Sequence, residues 1–212
     1  MPAQSAHVVT ELFEKELSKY TGAPYVVAVD SGTSALELCL MAENVKGTTI
    51  QIPNRTYMSV PCAIILAGAK VAWRHIQGTT IKGAYRLGAT RIWDSALRFT
   101  ADMYIPESLM CLSMTGAYKA LKLGKGGAIL CDRKADYEWL KRARNSGRNE
   151  CSYHVDQFTM LGRNVYMMPM VAAQGLLLIN QFYNLDGTKK DMPDLELPYP
   201  DLSLWPIYTN PA

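Results

Sequence analysis

Hydrophobic positions follow two different periods along this chain. Apolar residues three and four positions apart in "HVVTELFEKELSKY" predict an amphipathic helix. Short apolar runs predict buried strands in "YVVAVD", "TTIQIP", "KVAWRHI", "TRIWD", "MCLS" and "GAILC". Further helices are predicted in "ALELCLMAEN", "YMSVPCAIILAGA", "MPMVAAQGLLLINQFY" and "DYEWLKRARNSG", the last ending at Gly147. The stretch "QGTTIKGAYRLGA" shows neither period and is interpreted as a loop.

The alternation of strands and helices predicts the fold class. It favours a three-layer α/β sandwich whose sheet is mostly parallel and buried on both faces. Residues 1–185 form this body in our interpretation. From about Asp186 the chain becomes rich in Pro and Asp and loses its period. Residues 186–212 are therefore predicted to be an extended tail that wraps the body or is partly disordered.

Composition excludes several classes of protein. The chain has 212 residues, of which 49% are apolar and 19% charged, enough to bury a core. A net charge of +3 gives no indication of nucleic-acid binding. The five dispersed cysteines are typical of reduced thiols and not of a disulfide frame or metal site. The first residues show no leader and no run is long enough to span a membrane, so we expect a cytoplasmic protein.

Candidate chemistry begins with three lysines before a glycine pair in "TGAYKALKLGKGGAILC". A Walker A loop fails because Gly126 stands where Ser or Thr is required, and a dinucleotide fingerprint fails at Ile129. A solvated lysine face remains open on this segment alone.

Two other segments suggest a ligand site. "VVAVDSGTSALELCL" reads as strand, turn and helix, so the N–H groups of Gly32, Thr33 and Ser34 could bind a phosphate. "RIWDSAL" ends a predicted strand on Asp94, where ligands bind in open α/β sheets. An isolated Asp there would more often be a helix N-cap.

The order of these features resembles the DegT/StrS sugar aminotransferases, a family of fold-type I enzymes that depend on pyridoxal 5'-phosphate (PLP). The resemblance runs in segments from about Phe13 to Phe182, through "IPNRTYMSVPCAIILAGAKVAW", "IWDSA", "LSMTGAYKALKLGKGGAIL" and "LGRNVYMMPMVAAQGLLLINQF". It implies a reduced form of the large domain of an aspartate aminotransferase-like fold. Such a shortened member lacks part of the family's sequence between residues 76 and 91. The tail 186–212 stands in place of the family's small domain.

The resemblance also implies roles for individual residues. Lys119 would form a Schiff base with PLP and then move the proton in transamination. Asp94 would pair with the pyridine nitrogen and keep it protonated. Tyr57 would stack on the ring, although a core tyrosine is an equal alternative.

Phosphate binding is implied for a second set of residues. Gly32, Thr33 and Ser113 would contact the phosphate within one chain. Asn164 would reach the phosphate of a neighbouring subunit, which implies a homodimer. Two departures stand out: Ser113 is one residue further from the lysine than is usual, and Leu97 replaces a Gln or His.

The function implied is amino transfer from glutamate or glutamine to a nucleotide-linked keto-sugar or other small keto substrate. No metal, nucleic acid or membrane is expected to take part. Two alternatives stay open. One is a PLP-dependent sugar dehydratase, which the retained lysine disfavours. The other is a catalytically degenerate dimeric binding or regulatory protein, which Leu97 and the missing segments favour.

Overall fold

The computed structural model of the chain describes residues 7–152 and 154–209. The helices are α1 (His7–Thr21), α2 (Gly32–Ala42), α3 (Ser59–Leu66), α4 (Lys134–Ala143), α5 (Pro169–Ile179) and α6 (Pro206–Thr209). The strands are β1 (Tyr25–Val29), β2 (Thr49–Pro53), β3 (Lys70–Arg74), β4 (Thr80–Arg86), β5 (Ile92–Leu97), β6 (Leu109–Ser113), β7 (Gly127–Cys131) and β8 (Glu196–Pro198). Short 3-10 turns cover Asn180–Phe182 and Leu202–Leu204.

The main sheet has, within the described residues, six strands in the order β1-β7-β6-β5-β4-β8. Its only parallel pair is β5 with β6, while β2 and β3 form a separate parallel pair. The predicted α/β class is confirmed, but the predicted mostly parallel sheet is wrong. The connections explain the difference. Residues 87–91 join β4 to β5 and residues 114–126 join β6 to β7 without a helix, and a parallel pair needs a long crossover that is usually helical.

The core lies on both faces of the sheet because side chains alternate along each strand. Val27 and Ile129 pack into one cluster with residues of α2, α3 and α4. Val26 and Leu130 pack into a second cluster with residues of α1 and α5. The molecule therefore has three layers, with helices on both sides of the sheet.

Three sequence predictions about single elements are wrong. The strand predicted to end on Asp94 continues to Leu97, so Asp94 lies inside β5. The stretch interpreted as a loop contains β4, which pairs with β5 on one side and β8 on the other. Helix α4 ends at Ala143 and not at Gly147. It stops there because the Ala143 carbonyl accepts a hydrogen bond from the Arg163 N–H at 2.7 Å, which pairs this backbone with a later segment.

The C-terminal segment folds back onto the body of its own chain. Strand β8 extends the main sheet at β4. Arg98 donates two hydrogen bonds to Asp194, at 2.9 and 2.6 Å, and Leu202 is buried. The contacts with Arg98 place Asp194 beside the carboxyl end of β5. In the part of the chain that the structure covers, no helix is both long and apolar enough to cross a membrane.

Candidate active site

A cleft of about 250 Å³ opens where α2 begins and where β5 and β6 approach their carboxyl ends. Its lining brings together six of the seven residues that the sequence singled out: Gly32, Thr33, Tyr57, Asp94, Ser113 and Lys119. Apolar walls come from Leu36, Val60, Ala96 and Cys111. The cleft therefore combines polar groups at its ends with an apolar middle, as a planar aromatic ligand requires.

The N-terminus of α2 forms one end of the cleft. Ser31 is the N-cap, and its Oγ accepts a hydrogen bond from the Ser34 N–H at 3.1 Å. The Ser34 hydroxyl donates to Asp30 at 2.5 Å, which fixes the turn before the helix. The first N–H groups of a helix have no acceptor within it, so those of Gly32 and Thr33 are available to an anion.

Glycines let this helix end approach the sheet closely. A Cβ atom on Gly32 would lie 2.7 Å from the Cβ of Ser113, and one on Gly127 would lie 2.4 Å from the carbonyl carbon of Ser31. Neither distance is tolerable for a side chain. The contact brings the Ser113 hydroxyl next to the helix N-terminus, where a phosphate would bind.

Asp94 is a buried carboxylate inside the cleft, with 6% of its surface exposed. Its Oδ1 accepts a hydrogen bond from the Ala96 N–H and its Oδ2 accepts one from the Tyr85 hydroxyl, each at 2.9 Å. Burial raises the pKa of Asp94, while these two donors and Lys119 act to lower it. The carboxylate is thus held in one orientation and keeps lone pairs for a ligand.

Lys119 lies in the loop between β6 and β7 and is 5% exposed. Its Nζ donates to the carbonyl of Ala96 at 2.5 Å and lies 5.1 Å from the ring centre of Tyr118. Burial lowers the pKa of Lys119, and the charge of Asp94 opposes this shift. A buried amine with a lowered pKa is a better nucleophile near neutral pH than an exposed lysine.

Two tyrosines form an aromatic wall on the open side of the cleft. Tyr57 is 46% exposed, so it is not the core tyrosine of the alternative interpretation. Its ring meets the ring of Tyr199 in a T-shaped arrangement, with 6.2 Å between centres. Tyr199 comes from the C-terminal segment and lines the same cleft.

Other residues from the sequence lie elsewhere. Asn164 is exposed and its backbone pairs with that of Asn145 outside the cleft. Its predicted contact with a neighbouring subunit stays a prediction. Leu97 is buried against the opposite side of β5, so Ala96 faces the cleft instead. Lys125 is exposed and lies 3.1 Å from Asp30.

Sequence reasoning missed two residues of this site. Tyr85 holds Asp94, and its own hydroxyl lies 2.5 Å from that of Thr56. Ile81 lies between two polar residues in "TIKGAYR", but Ala84 breaks the alternation, so the pattern gives only a weak signal for the strand. Nothing in the sequence pattern placed Tyr199 here, because it contacts residues far away in the chain.

Sequence comparison finds relatives for the part of the chain that carries the first residues of this site. The profile of the DegT/DnrJ/EryC1/StrS aminotransferase family matches residues 7–83, which include Gly32, Thr33 and Tyr57. A Campylobacter jejuni protein named UDP-4-amino-4,6-dideoxy-N-acetyl-beta-L-altrosamine transaminase is 24% identical over 214 residues. That match covers 82% of this chain and 56% of the relative. The resemblance to the family is confirmed.

Solved structures show the same fold. The PLP form of Spr1654 from Streptococcus pneumoniae, described as a sugar aminotransferase, matches with a TM-score of 0.66 at 18% identity, covering 82% of this chain and 59% of that one. A 3-amino-5-hydroxybenzoic acid synthase matches with a TM-score of 0.68 at 20% identity, covering 82% and 56%. The chain thus spans less than two thirds of the length of these relatives.

Proposed function

We propose that this chain, which resembles the DegT/DnrJ/EryC1/StrS aminotransferases in sequence and fold, is a PLP-dependent aminotransferase. The observation that carries the proposal is the meeting of Lys119, Asp94 and the N-terminus of α2 in one cleft. These three groups come from separate parts of the chain. Together they provide an amine, a carboxylate and an anion site.

The residues of the cleft fit PLP by their chemistry. Lys119 would hold the cofactor covalently through its amine, Asp94 would face the ring nitrogen, and Gly32, Thr33 and Ser113 would bind the phosphate. Leu36 and Val60 supply apolar surface between these groups. When bound, PLP supplies an electron sink that stabilises a carbanion at the substrate carbon.

Lys119 would have a second role as an acid–base group whenever its amine is not joined to the cofactor. Its Nζ is then a neutral amine within a buried site, and burial lowers its pKa. It can therefore accept a proton from the substrate carbon and return it as a general acid. Ala96 offers the carbonyl that orients the amine, at 2.5 Å.

Asp94 would hold a proton on the ring nitrogen. Its carboxylate is fixed by Tyr85 and by the Ala96 N–H, so it would meet a ring nitrogen without having to reorganise. An ionised Asp94 stabilises the protonated ring nitrogen by direct charge attraction. The Tyr57 ring would cover one face of the cofactor.

The substrate class rests on the relatives. We infer an amino donor, glutamate or glutamine, and a nucleotide-linked keto-sugar as acceptor, because the family description and the name of the Campylobacter jejuni relative point to sugar amination. The proposal includes a homodimer in which Asn164 completes the partner's site. It also treats 1–185 as the cofactor-binding domain and 186–212 as a tail. The free cysteines support action in the cytoplasm.

The test is spectroscopic. Purified protein incubated with PLP should show a visible absorption band that Lys119→Ala lacks. Borohydride reduction and peptide mapping should place the phosphopyridoxyl group on Lys119. Adding L-glutamate should bleach the band and yield pyridoxamine phosphate. Lys122→Ala, which removes an exposed lysine of the same loop, is the matched control and should behave as wild type.

Each other result has a definite meaning. PLP bound on Lys119 but inert to every amino acid would replace the enzyme proposal with a binding or regulatory protein. No band and no labelled lysine would reject both.

A further inference from the structure

Residues 194–204, here called the strap, pass along one side of the cleft and line it with Tyr199. At its start, Asp194 accepts two hydrogen bonds from Arg98, and the Leu195 N–H donates to the carbonyl of Leu97 at 2.8 Å. These contacts attach the strap to the end of β5. That strand also carries Asp94, so the strap is fixed to the same element that positions the carboxylate.

The other end of the strap is attached to the turn after β2. Arg55 donates to the carbonyl of Tyr199 at 2.9 Å, and the Asn54 side chain donates to Asp201 at 2.7 Å. The Leu202 N–H donates to the Asn54 carbonyl at 2.8 Å. Tyr199 therefore stands between two anchored points and its backbone is held directly.

The Tyr199 side chain enters the cleft. Its ring packs against Tyr57, and its hydroxyl lies near enough to Asp94 for the charge of that carboxylate to act on it. Burial first, and then neighbouring ionisable groups, raise the pKa of Tyr199. Among residues 7–152 and 154–209 its hydroxyl has no hydrogen-bond partner. It is thus a protonated donor that faces the cleft without an acceptor.

The class of reaction guarantees one acceptor. Whatever keto compound is aminated, the donor in our proposed function is an amino acid and carries a carboxylate. A carboxylate accepts hydrogen bonds and donates none. The protonated Tyr199 hydroxyl can donate one to it.

We propose that Tyr199 is a substrate-binding residue whose hydroxyl donates to the carboxylate of the amino donor, and that the strap is a wall of the active site supplied by the same chain. This inference rests on the proposed function. It adds a residue outside the segments that resemble the family, which end at about Phe182.

The test distinguishes the role of the Tyr199 hydroxyl from the role of the strap as a wall of the cleft. Wild type, Tyr199→Phe and Tyr199→Ala are loaded with PLP, and L-glutamate is titrated while the visible band is followed. Losing one hydrogen bond to a charged group should raise the half-saturating glutamate concentration about tenfold in Tyr199→Phe. The affinity for PLP should stay unchanged in that variant. Tyr25→Phe removes a hydroxyl far from the cleft and should match wild type.

A second readout does not depend on activity. After borohydride reduction, the phosphopyridoxyl group on Lys119 is fluorescent, and quenching by acrylamide reports its exposure to solvent. Tyr199→Ala should be quenched more strongly than wild type because the wall is opened. Tyr199→Phe should be quenched like wild type because the ring remains.

Failure of this inference can be distinguished from failure of the proposed function. Wild type that reacts with glutamate, together with a Tyr199→Phe variant that titrates as wild type does, overturns the role of the hydroxyl. Equal quenching in wild type and Tyr199→Ala overturns the wall. Wild type that takes up no PLP, or that holds it without response to glutamate, overturns both proposals together.

Discussion

Two regions of this molecule bury charged side chains. In the first, around Arg144, the charged groups hold several structural elements together. Arg144 is 1% exposed and donates to Glu14, to the Ala28 carbonyl at 2.7 Å and to Glu150 at 2.8 Å. Burial acts to lower the pKa of Arg144, but both glutamates raise it overall. Burial also favours the neutral form of Glu14, because it raises the pKa of that carboxyl. The guanidinium joins α1, β1 and the end of α4.

The cleft buries charge with far fewer partners. Lys119 has a single hydrogen-bond acceptor within the described residues, the Ala96 carbonyl. Burial lowers the pKa of Lys119 and raises the pKa of Asp94, so each group is shifted towards its neutral form. A buried charge without a full set of partners is destabilised.

The contrast teaches how a fold separates stability from reactivity. At Arg144 both terminal nitrogens of the guanidinium donate to buried acceptors, although Nε has no partner within the described residues. Removing the guanidinium would leave those acceptors exposed to the cost of burial. At Lys119 the amine is left ready to lose its proton. Sites of this second kind cost stability and are expected where chemistry takes place. Substitutions at the two regions should therefore affect different measurements.

The largest effect on stability is expected at Arg144. Arg144→Met removes the guanidinium and leaves Glu14 buried without its charged partner, which should cost about 3–5 kcal/mol of the free energy of unfolding. Denaturant unfolding followed by circular dichroism measures this. Arg133→Met, which removes an exposed arginine, is the control and should change stability by less than about 0.5 kcal/mol. If Arg144→Met lowered the free energy of unfolding by as little as the control does, Arg144 would not be the structural tie proposed here.

The next effect is a shift in pH dependence. Asp94→Asn removes the charge that raises the pKa of Lys119, so that pKa should fall further and more of the amine should be neutral at a given pH. The extent of PLP attachment can be measured by borohydride trapping at a series of pH values. The acid limb of this pH profile should move to lower pH. Asp186→Asn, in an exposed turn, is the control. A limb that stays in place or moves to higher pH would contradict the electrostatic coupling.

A smaller effect is expected from Tyr85. Tyr85→Phe removes a donor that lowers the pKa of Asp94, so the carboxyl should be protonated over a wider range and hold the ring nitrogen less well. The rate of the glutamate half-reaction should fall about tenfold, the worth of one hydrogen bond to a charged group. Its acid limb should move to higher pH, while PLP affinity changes little. Thr56→Val removes only the second partner of Tyr85 and should have the lesser effect.

The smallest effect on stability is expected at the reactive amine itself. Lys119→Met abolishes PLP attachment, but it replaces a poorly satisfied buried charge with an apolar chain of similar length. The free energy of unfolding without PLP should stay within about 1 kcal/mol of wild type or rise. Thermal unfolding of the apo protein measures it. A loss as large as that of Arg144→Met would show that the lysine is a structural tie as well.

Local signals predicted much of the fold and of the cleft. The strand, turn and helix around Gly32, the Asp94 that ends an apolar run and the lysine before a glycine pair are each encoded within a few residues. Their meeting in one cleft follows from the order of the strands. Asn164 could not be tested in this way, because its predicted contact lies between two subunits.

The direction of the strands and the outer wall could not be predicted. Whether β4 returns beside β5 depends on a five-residue connection and on pairing with β8, which lies more than a hundred residues later in the chain. Tyr199 is 144 residues from Arg55, its backbone partner. Its neighbours in sequence are prolines and acidic residues with no period, so only the folded body gives that segment a place.

The long separation between the strap and its anchors has a consequence for the order of folding. The hydrogen bonds that Leu195 and Leu202 donate to the carbonyls of Leu97 and Asn54 join segments that lie far apart in the chain. Closing such long loops is entropically costly, so docking of the strap should be a late event. A body that assembles before the strap docks leaves its amine and carboxylate open to water until docking.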